Sequence, residues 1–407
     1  DFEGNKPNFD LFIAMAPEEL IPTLKKYDNA GKIFFEVGIH GKSINGHTPS
    51  INARFGCEQA YINNYKVNKQ INDLNFVGYF TNGDLRSPET MEFGIQNFSA
   101  RPEAGLFSGN LSVRNFNSPD INLQLKSDFQ LDFLAKFFEL EDLSDLQGKV
   151  DLTMNFRDII DLEHPERSIE KLNESYFTQL KIDNLSFAKS NVNLPIKDID
   201  FYAELNGHEA RIDYFNMVVG SSDIQLSGTV SDLPAIIHHT DIPVTSKLKV
   251  SSRLLNLYEL TGKDSLKSVN EQIENFSVDA EFTSSARAMT ESPNLPMGEF
   301  FVKNLYAKMK NYPHTLHDFH ADVFIEEEDF RVIDFKGMID KSDFFFSGKL
   351  KHYDLWFQEN PAGDTRVEFD WTSNVLQLHD VFSYNGENYV PEDYRNEEFD
   401  QLKFHGV

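Results

Sequence analysis

Three histidines stand three apart in Tyr312-Pro313-His314-Thr315-Leu316-His317-Asp318-Phe319-His320, a spacing that on a helix could gather metal ligands. Pro313 and the extended pattern from Asp318 onward break any helix there. In an extended chain His317 faces away from His314 and His320, leaving only Asp318 and His320 as neighbours on one face. The group reads more simply as surface histidines beside a turn. His238-His239 is a plain pair after a proline-containing loop. Glu326-Glu327-Glu328-Asp329 lacks the spaced ligands and turn glycine of a calcium loop and reads as a solvated hairpin tip. Arg157-Asp158, Asp161, Glu163 and His164-Pro165-Glu166 could supply acid–base groups, but they sit in a mixed loop leading to a short helix at 167–174. There is no phosphate-binding glycine loop, no nucleophile elbow, no dinucleotide fingerprint and no cysteine–histidine ligand set. The sequence therefore assigns no catalytic residue, no metal site and no cofactor. Cys57 is a lone thiol in a strand, and burial is its expected state.

Composition points to a surface rather than a reaction. The 407 residues include 37 Phe against 2 Trp and 14 Tyr, so much purely apolar ring surface must be hidden or used. A net charge of −27 repels phosphate backbones and argues against nucleic acid as a partner. It also disfavours flat adsorption on anionic headgroups, but says nothing against contact with acyl chains. No apolar run of membrane-spanning length is present.

The elements that carry these residues repeat. Phe107-Ser108-Gly109-Asn110-Leu111, Leu226-Ser227-Gly228-Thr229-Val230 and Phe346-Ser347-Gly348-Lys349-Leu350 place their serines 119 and 120 residues apart. Asn64, Asn184 and Asn304 keep a similar beat, as do Asp73, Asp198 and Asp318. A recurring period of about 120 residues predicts stacked units that grow in one direction. The boundaries expected are repeats at 31–147, 148–272 and 273–400. Residues 1–30 read as the end of an earlier repeat and 401–407 as the start of a later one, so the chain reads as a piece of a longer protein.

Each repeat predicts six antiparallel strands in a meander and one short helix. The first strand alternates with a period of two: Ile33, Phe35 and Val37; then Val150, Leu152, Met154 and Phe156; then Val278 and Phe282. The third strand, after its acidic marker, presents Phe76, then Ile199 and Phe201, then Phe319 and Val323. It is expected to end in tight turns at Asn82-Gly83 and Asn206-Gly207. The fifth strand carries Phe107 and Leu111; Ile224, Leu226 and Val230; and Phe344, Phe346 and Leu350. Its glycine marks a bend or a close approach. Segments led by Ser127, Ser252 and Ser373 are expected to turn helical. Roughly 18 strands at about 4.8 Å give a sheet on the order of 85 Å long, with too few helices to cover one apolar face. The fold class expected is mainly β: an elongated, curved antiparallel sheet whose greasy face lines a hydrophobic groove or packs as a dry core.

Ser222-Asp223-Ile224-Gln225-Leu226-Ser227-Gly228-Thr229-Val230, the Asp232-Leu233-Pro234-Ala235 that follows, and Ser251-Ser252-Arg253-Leu254-Leu255-Asn256-Leu257 resemble the AsmA-like proteins of Gram-negative bacteria. By way of the repeat the resemblance covers the whole chain. It departs from the family in lacking the N-terminal anchor and cap and in its acidity. The resemblance implies a periplasmic, non-enzymatic lipid-transfer bridge, tied to the inner membrane by an anchor outside this chain, with phospholipid as cargo and outer-membrane or periplasmic proteins as partners. On that reading the strand residues named above line the lipid groove. The other reading is a periplasmic scaffold for outer-membrane assembly with a dry core.

Overall fold

Strict alternation of large apolar and polar side chains suits a sheet with one greasy and one wet face. The computed structural model has this form: 68% strand and 10% helix, with 20 strands in one open antiparallel sheet. It describes residues 2–6, 8–10, 25–44, 47–139, 143–159, 176–189, 194, 196–237, 239–261, 271–292, 296–357 and 362–407. The chain divides into two compact units, Asp1–Val192 with Asp200–His208, and Asn193–Ile199 with Glu209–Val407.

In the first unit β1 (Phe2–Lys6) pairs with β2 (Asp28–His40), and the meander continues through β3 (Ser50–Asn64), β4 (Lys69–Thr81), β5 (Glu92–Arg101), β6 (Gly105–Arg114) and β7 (Asp120–Gln130). Helix α1 (Leu131–Phe137) leads to β8 (Leu143–Ile159) and β9 (Tyr176–Lys189). β10 is Ile196–Asn206.

The second unit runs through β11 (Glu209–Val219), β12 (Ser222–Val230), α2 (Leu233–Ile237), β13 (Pro243–Asn256), α3 (Leu257–Thr261), β14 (Gln272–Ser285) and α4 (Ala286–Glu291). It continues with β15 (Gly298–Met309), β16 (Thr315–Ile325), β17 (Asp329–Ile339), β18 (Ser342–Lys351), a short 3₁₀ turn (Tyr353–Phe357), β19 (Arg366–Gln377) and α5 (Leu378–Val381). A small hairpin of β20 (Ser383–Tyr384) and β21 (Glu387–Asn388) precedes β22 (Glu398–Gly406), which pairs with β19. In element order, β2–β7 with α1, β8–β13 with α3 and β14–β19 with α5 are three runs of six strands closed by a helix.

The markers resolve differently. Asp73, Asp198 and Asp318 are left-handed residues inside β4, β10 and β16, at φ of 50°, 52° and 56°. All three lie within the strand instead of preceding it, and at Asp73 and Asp318 the pairing register shifts, as at a bulge. The three asparagines do not share a position. Asn64 ends β3 and donates to the Phe137 carbonyl behind α1. Asn184 is a left-handed residue within β9, and Asn304 pairs in register with Asp279. Asn82-Gly83 is not a two-residue turn. Its Asn82 side chain accepts from Ile51 N and donates to the Pro49 carbonyl, and the chain then runs on to β5 through a 3₁₀ turn at Pro88–Thr90. Gly207, at φ 60°, does stand in a two-residue connection, paired with His208.

The segments led by Ser252 and Ser373 stay extended for five residues before α3 and α5 begin. A repeated Ser-Asp clamp holds them. Asp223 Oδ1 accepts from the amides of Arg253 and Leu254 at 3.0 Å each, and Ser222 Oγ accepts from Asn256 N at 2.9 Å. One repeat later Asp343 Oδ1 accepts from Val375 N at 2.8 Å and Ser373 Oγ at 2.9 Å, and Ser342 Oγ accepts from Gln377 N at 2.9 Å. Both clamp serines are fully buried. In the first repeat the Ser127 segment is still strand to Gln130, and α1 starts only at Leu131.

The glycine of the recurring phrase is required by a close approach. A Cβ on Gly228 would lie 2.1 Å from the Lys247 carbonyl oxygen, and one on Gly348 would lie 2.6 Å from that of Glu368. Gly228→Ala should therefore cost about 1–3 kcal/mol, read as a lowered thermal midpoint, with Gly348→Ala the milder of the two. Burial works to raise the Asp343 pKa, but the donors from Val375, Ser373 and Asn374 outweigh it and hold the carboxyl below its usual range. Its contribution is complete above about pH 4 and is lost as pH falls through the lowered folded-state value. Asp343→Ala should lower stability by about 1–3 kcal/mol at neutral pH, and the deficit should shrink on acidification, measured by thermal melts across pH.

Candidate functional site

Strand register converts the alternation into rows of apolar side chains that cross the strands. In the first unit one row runs Phe35, Phe55, Gly78, Ile95, Leu111, Leu123 and Phe156 from β2 to β8. In the second unit one row runs Leu248, Ala280, Val302, Ala321, Phe335, Phe346 and Trp371 from β13 to β19. The adjacent row runs Ser246, Phe282, Phe300, Val323, Val332, Gly348 and Phe369.

These two rows form most of an open trough of about 1020 Å³. Sixteen residues line it, and none is ionisable. Only Ser246 and Trp371 bring a side-chain polar atom, and the Trp371 indole N–H is buried without a partner. Ile325, Phe330 and Phe344 add to the lining, and Met289 of α4 and Pro296 join it at the end of the strands where α2 and α4 pack together around Ala235, Val244 and Ala286. The rings support one another: Phe335 and Phe346 meet edge-on at 6.5 Å, Phe346 and Phe369 stack at 5.6 Å, and Phe344 stacks on Trp371 at 6.0 Å. The reverse face is wet, with Lys303 of β15 2.5 Å from Glu281 of β14 and Lys349 of β18 2.6 Å from Asp329 of β17.

The residues singled out from the sequence fall into three settings. Phe282, Val323, Phe344 and Phe346 line the trough. Phe319 packs on the Phe335 ring at 5.4 Å, Leu350 packs against the cluster around Tyr353, and Val230 packs against that around Val244. Val278, Leu226 and Ile224 are half-buried on their strands. In the first unit Ile33 is only 1% exposed and forms a closed cluster with Cys57, Ala60, Leu74 and Ala100, against which Phe76 and Phe107 pack. Val150 and Ile199 are buried, while Phe35, Val37, Leu111, Leu152, Met154, Phe156 and Phe201 are half-buried. Sequence reasoning missed Phe300, Phe335, Phe369 and Trp371 as lining. Phe300 and Phe335 lie on strands whose pairing is shifted by bulges, so only the partner register reveals their face, whereas Phe369 and Trp371 alternate without a shift on β19, and that period was the signal that could have found them.

The polar candidates are absorbed by structure. His314 Nδ1 lies 2.6 Å from Asp340 Oδ2, and its Nε2 contacts Ser383 Oγ. This has the connectivity of a hydrolytic relay, yet it lies along a seam that fastens the β20–β21 hairpin. Tyr312 Oη donates to the Val381 carbonyl and Asn385 N to the Asn311 carbonyl across the same seam. The bulge at Asp318 brings its carboxylate to His317 Nδ1 at 2.6 Å, and not to His320 as strict alternation predicts. Burial pushes the Cys57 thiol up to about 12, the value of an inert group. His239 Nδ1 lies 2.8 Å from Thr290 Oγ1. His238 and residues 160–175, with Asp161, Glu163 and His164, lie outside the described residues. A second, polar cleft of about 940 Å³ in the first unit is lined by Lys66, Lys136 and Lys149, each already beside a carboxylate.

Comparison with protein-family models, with curated proteins and with solved structures found no match. Among the described residues no helix is long and apolar enough to cross a membrane. With Trp356→Phe leaving Trp371 as the one indole, a brominated fatty acid should quench the remaining emission. Unchanged emission at saturating lipid would remove the trough as a tail site.

Proposed function

We propose that this chain is a non-enzymatic lipid-transfer segment that carries the hydrocarbon tails of phospholipids along the apolar face of its sheet. The observation that carries the reading is the trough of about 1020 Å³ with no ionisable side chain in its lining. Aromatic surface left open on this scale calls for an occupant. An acyl chain gains about 0.8 kcal/mol for each methylene removed from water. No bond needs to form or break, so a continuous surface suffices. The resemblance to AsmA-like proteins supplies the rest of the proposal. The chain would work in the periplasm of a Gram-negative envelope, joined to the inner membrane through an anchor outside the present sequence and delivering lipid toward the outer membrane.

The closed cluster around Ile33 favours a second reading, a periplasmic assembly scaffold with a dry core. Solvent extraction of the purified protein followed by lipid mass spectrometry separates the two. Co-purifying phospholipid, and crosslinking of lipid by a photo-reactive residue in place of Phe346, are expected for transfer. Phe346→Glu should then abolish lipid capture while the protein stays folded. Absence of lipid together with unfolding of Phe346→Glu would establish the dry core instead.

A further inference from the structure

Between α5 and β22 the chain holds a hairpin none of whose residues is buried. It turns at Asn385-Gly386, with φ of 52° and 80°, a type I′ turn. Ser383 pairs with Asn388 and Tyr384 with Glu387, and Tyr389 N donates to the Phe382 carbonyl one step further along the ladder. Alternation gives this hairpin two faces. One carries Ser383 and Asn388, both half-buried, and seats Ser383 Oγ on the buried His314. The other carries Phe382, Tyr384, Glu387 and Tyr389, and its three rings are 48%, 46% and 63% exposed. So short a hairpin does not hold its shape alone. The Asn311 carbonyl, the Tyr312 hydroxyl and the His314 ring of the seam hold it with the rings outward. Beyond it Val390 is buried as an anchor, and a 3₁₀ turn at Glu392–Tyr394 leaves Tyr394 exposed as well. Arg395 Nε donates to the Val390 carbonyl at 3.0 Å and closes the loop on itself. From Phe382 to Asp400 there are six carboxylates against one cation, Arg395.

We propose that the outward face of this hairpin docks a cationic protein segment, whose arginines lie on the rings and pair with the carboxylates around them. Tyrosine and phenylalanine held in place at a surface are the residues that interface centres use, because they bring large area and lose few rotamers. The face of each ring attracts a cation, and a carboxylate such as Glu387 beside it adds to the pull. Arginine suits the site better than lysine: its planar guanidinium stacks on a ring while its N–H fork meets a carboxylate. The loop is already hydrogen-bonded to the sheet, so little ordering is left to be done on binding. The six carboxylates disfavour an anionic membrane surface. A neutral bilayer interface, which rings alone would suit, is the competing occupant.

The test is fluorescence anisotropy of labelled peptides titrated with the purified protein at physiological ionic strength. One peptide alternates arginine with serine, and the other has lysine in place of every arginine. The arginine peptide should bind, at least about tenfold more tightly than the lysine peptide. Tyr384→Ser combined with Tyr389→Ser leaves the net charge unchanged and should weaken its binding at least about tenfold. Both side chains are exposed, so the thermal midpoint should stay in place and show that the fold is kept. Glu387→Gln with Glu392→Gln should weaken binding at least about threefold. The same change of charge in the first unit, Glu58→Gln with Asp84→Asn at exposed positions, should leave it unaltered. Failure of both peptides to bind would overturn the docking face. Undiminished binding by the tyrosine variant, or equal losses from the two charge pairs, would also overturn it and trace the attraction to the net charge of −27 alone. Flotation with phosphatidylcholine vesicles closes the test: vesicle binding that the tyrosine variant loses would assign the face to a bilayer and overturn the protein partner.

Discussion

Strand register is the constraint on which the rest of this structure depends. With a side-chain period of two, a slip of one residue would send every Phe of a strand to the wet face. The chain nevertheless inserts an extra residue repeatedly, and each insertion would do the same were it not fixed in place. Left-handed polar residues supply the insertions: Gln59, Asn97 and Asn184 in the first unit, Asn275 and Asp318 in the second. In the first unit their free amides are caught by the next strand. Gln59 N donates to Asn75 Oδ1, Asn97 N to Asn110 Oδ1 and Asn184 N to Asp200 Oδ1. The Ser-Asp clamps perform a similar task on β13 and β19. Polar side chains that look decorative in the sequence thus hold the apolar rows in line.

The two faces contribute unequally. The cross-strand ion pairs of the wet face are mostly solvent-exposed and each adds little, on the order of 0–1 kcal/mol. Stabilisation comes from ring-on-ring and ring-on-aliphatic packing, and it is not evenly distributed. Around Ile33 the first unit closes its apolar face with Cys57 and small alanines. Between Leu248 and Trp371 the second unit leaves its rings lining a trough. The same alternation is therefore compatible with a dry cluster and with an open conduit. Phe9, from the segment after β1, also packs against the first of these clusters.

Much of the fold was legible before any coordinates. The recurring Ser-Gly phrase and the alternating Phe, Ile and Val positions carried the antiparallel meander and the order of six strands and a helix. The glycine itself was legible as a close approach, and the structure names the neighbour as the carbonyl of the next strand. Other signals misled for physical reasons. Asn82-Gly83 has the composition of a tight turn, but the Asn82 amide is committed to Pro49 and Ile51 and the loop runs on. Ser252 and Ser373 look like helix starts, but a carboxylate thirty residues earlier holds their segments extended. An equal interval spaces Asn64, Asn184 and Asn304 alike in sequence, yet they stand at inequivalent places on their strands: a strand end, a left-handed residue and a paired residue.

By itself the sequence determined the class of structure, its greasy and wet faces, and the absence of any recognisable catalytic motif. Those follow from period and composition, which act within a single strand. Only the tertiary structure decided which Phe meets which. It set Ala321 opposite Phe335 and Val323 opposite Val332, across the shifts in β16 and β17. Those outcomes depend on how many residues each bulge adds relative to the partner strand. That is a relation between two distant segments, and neither segment carries it alone.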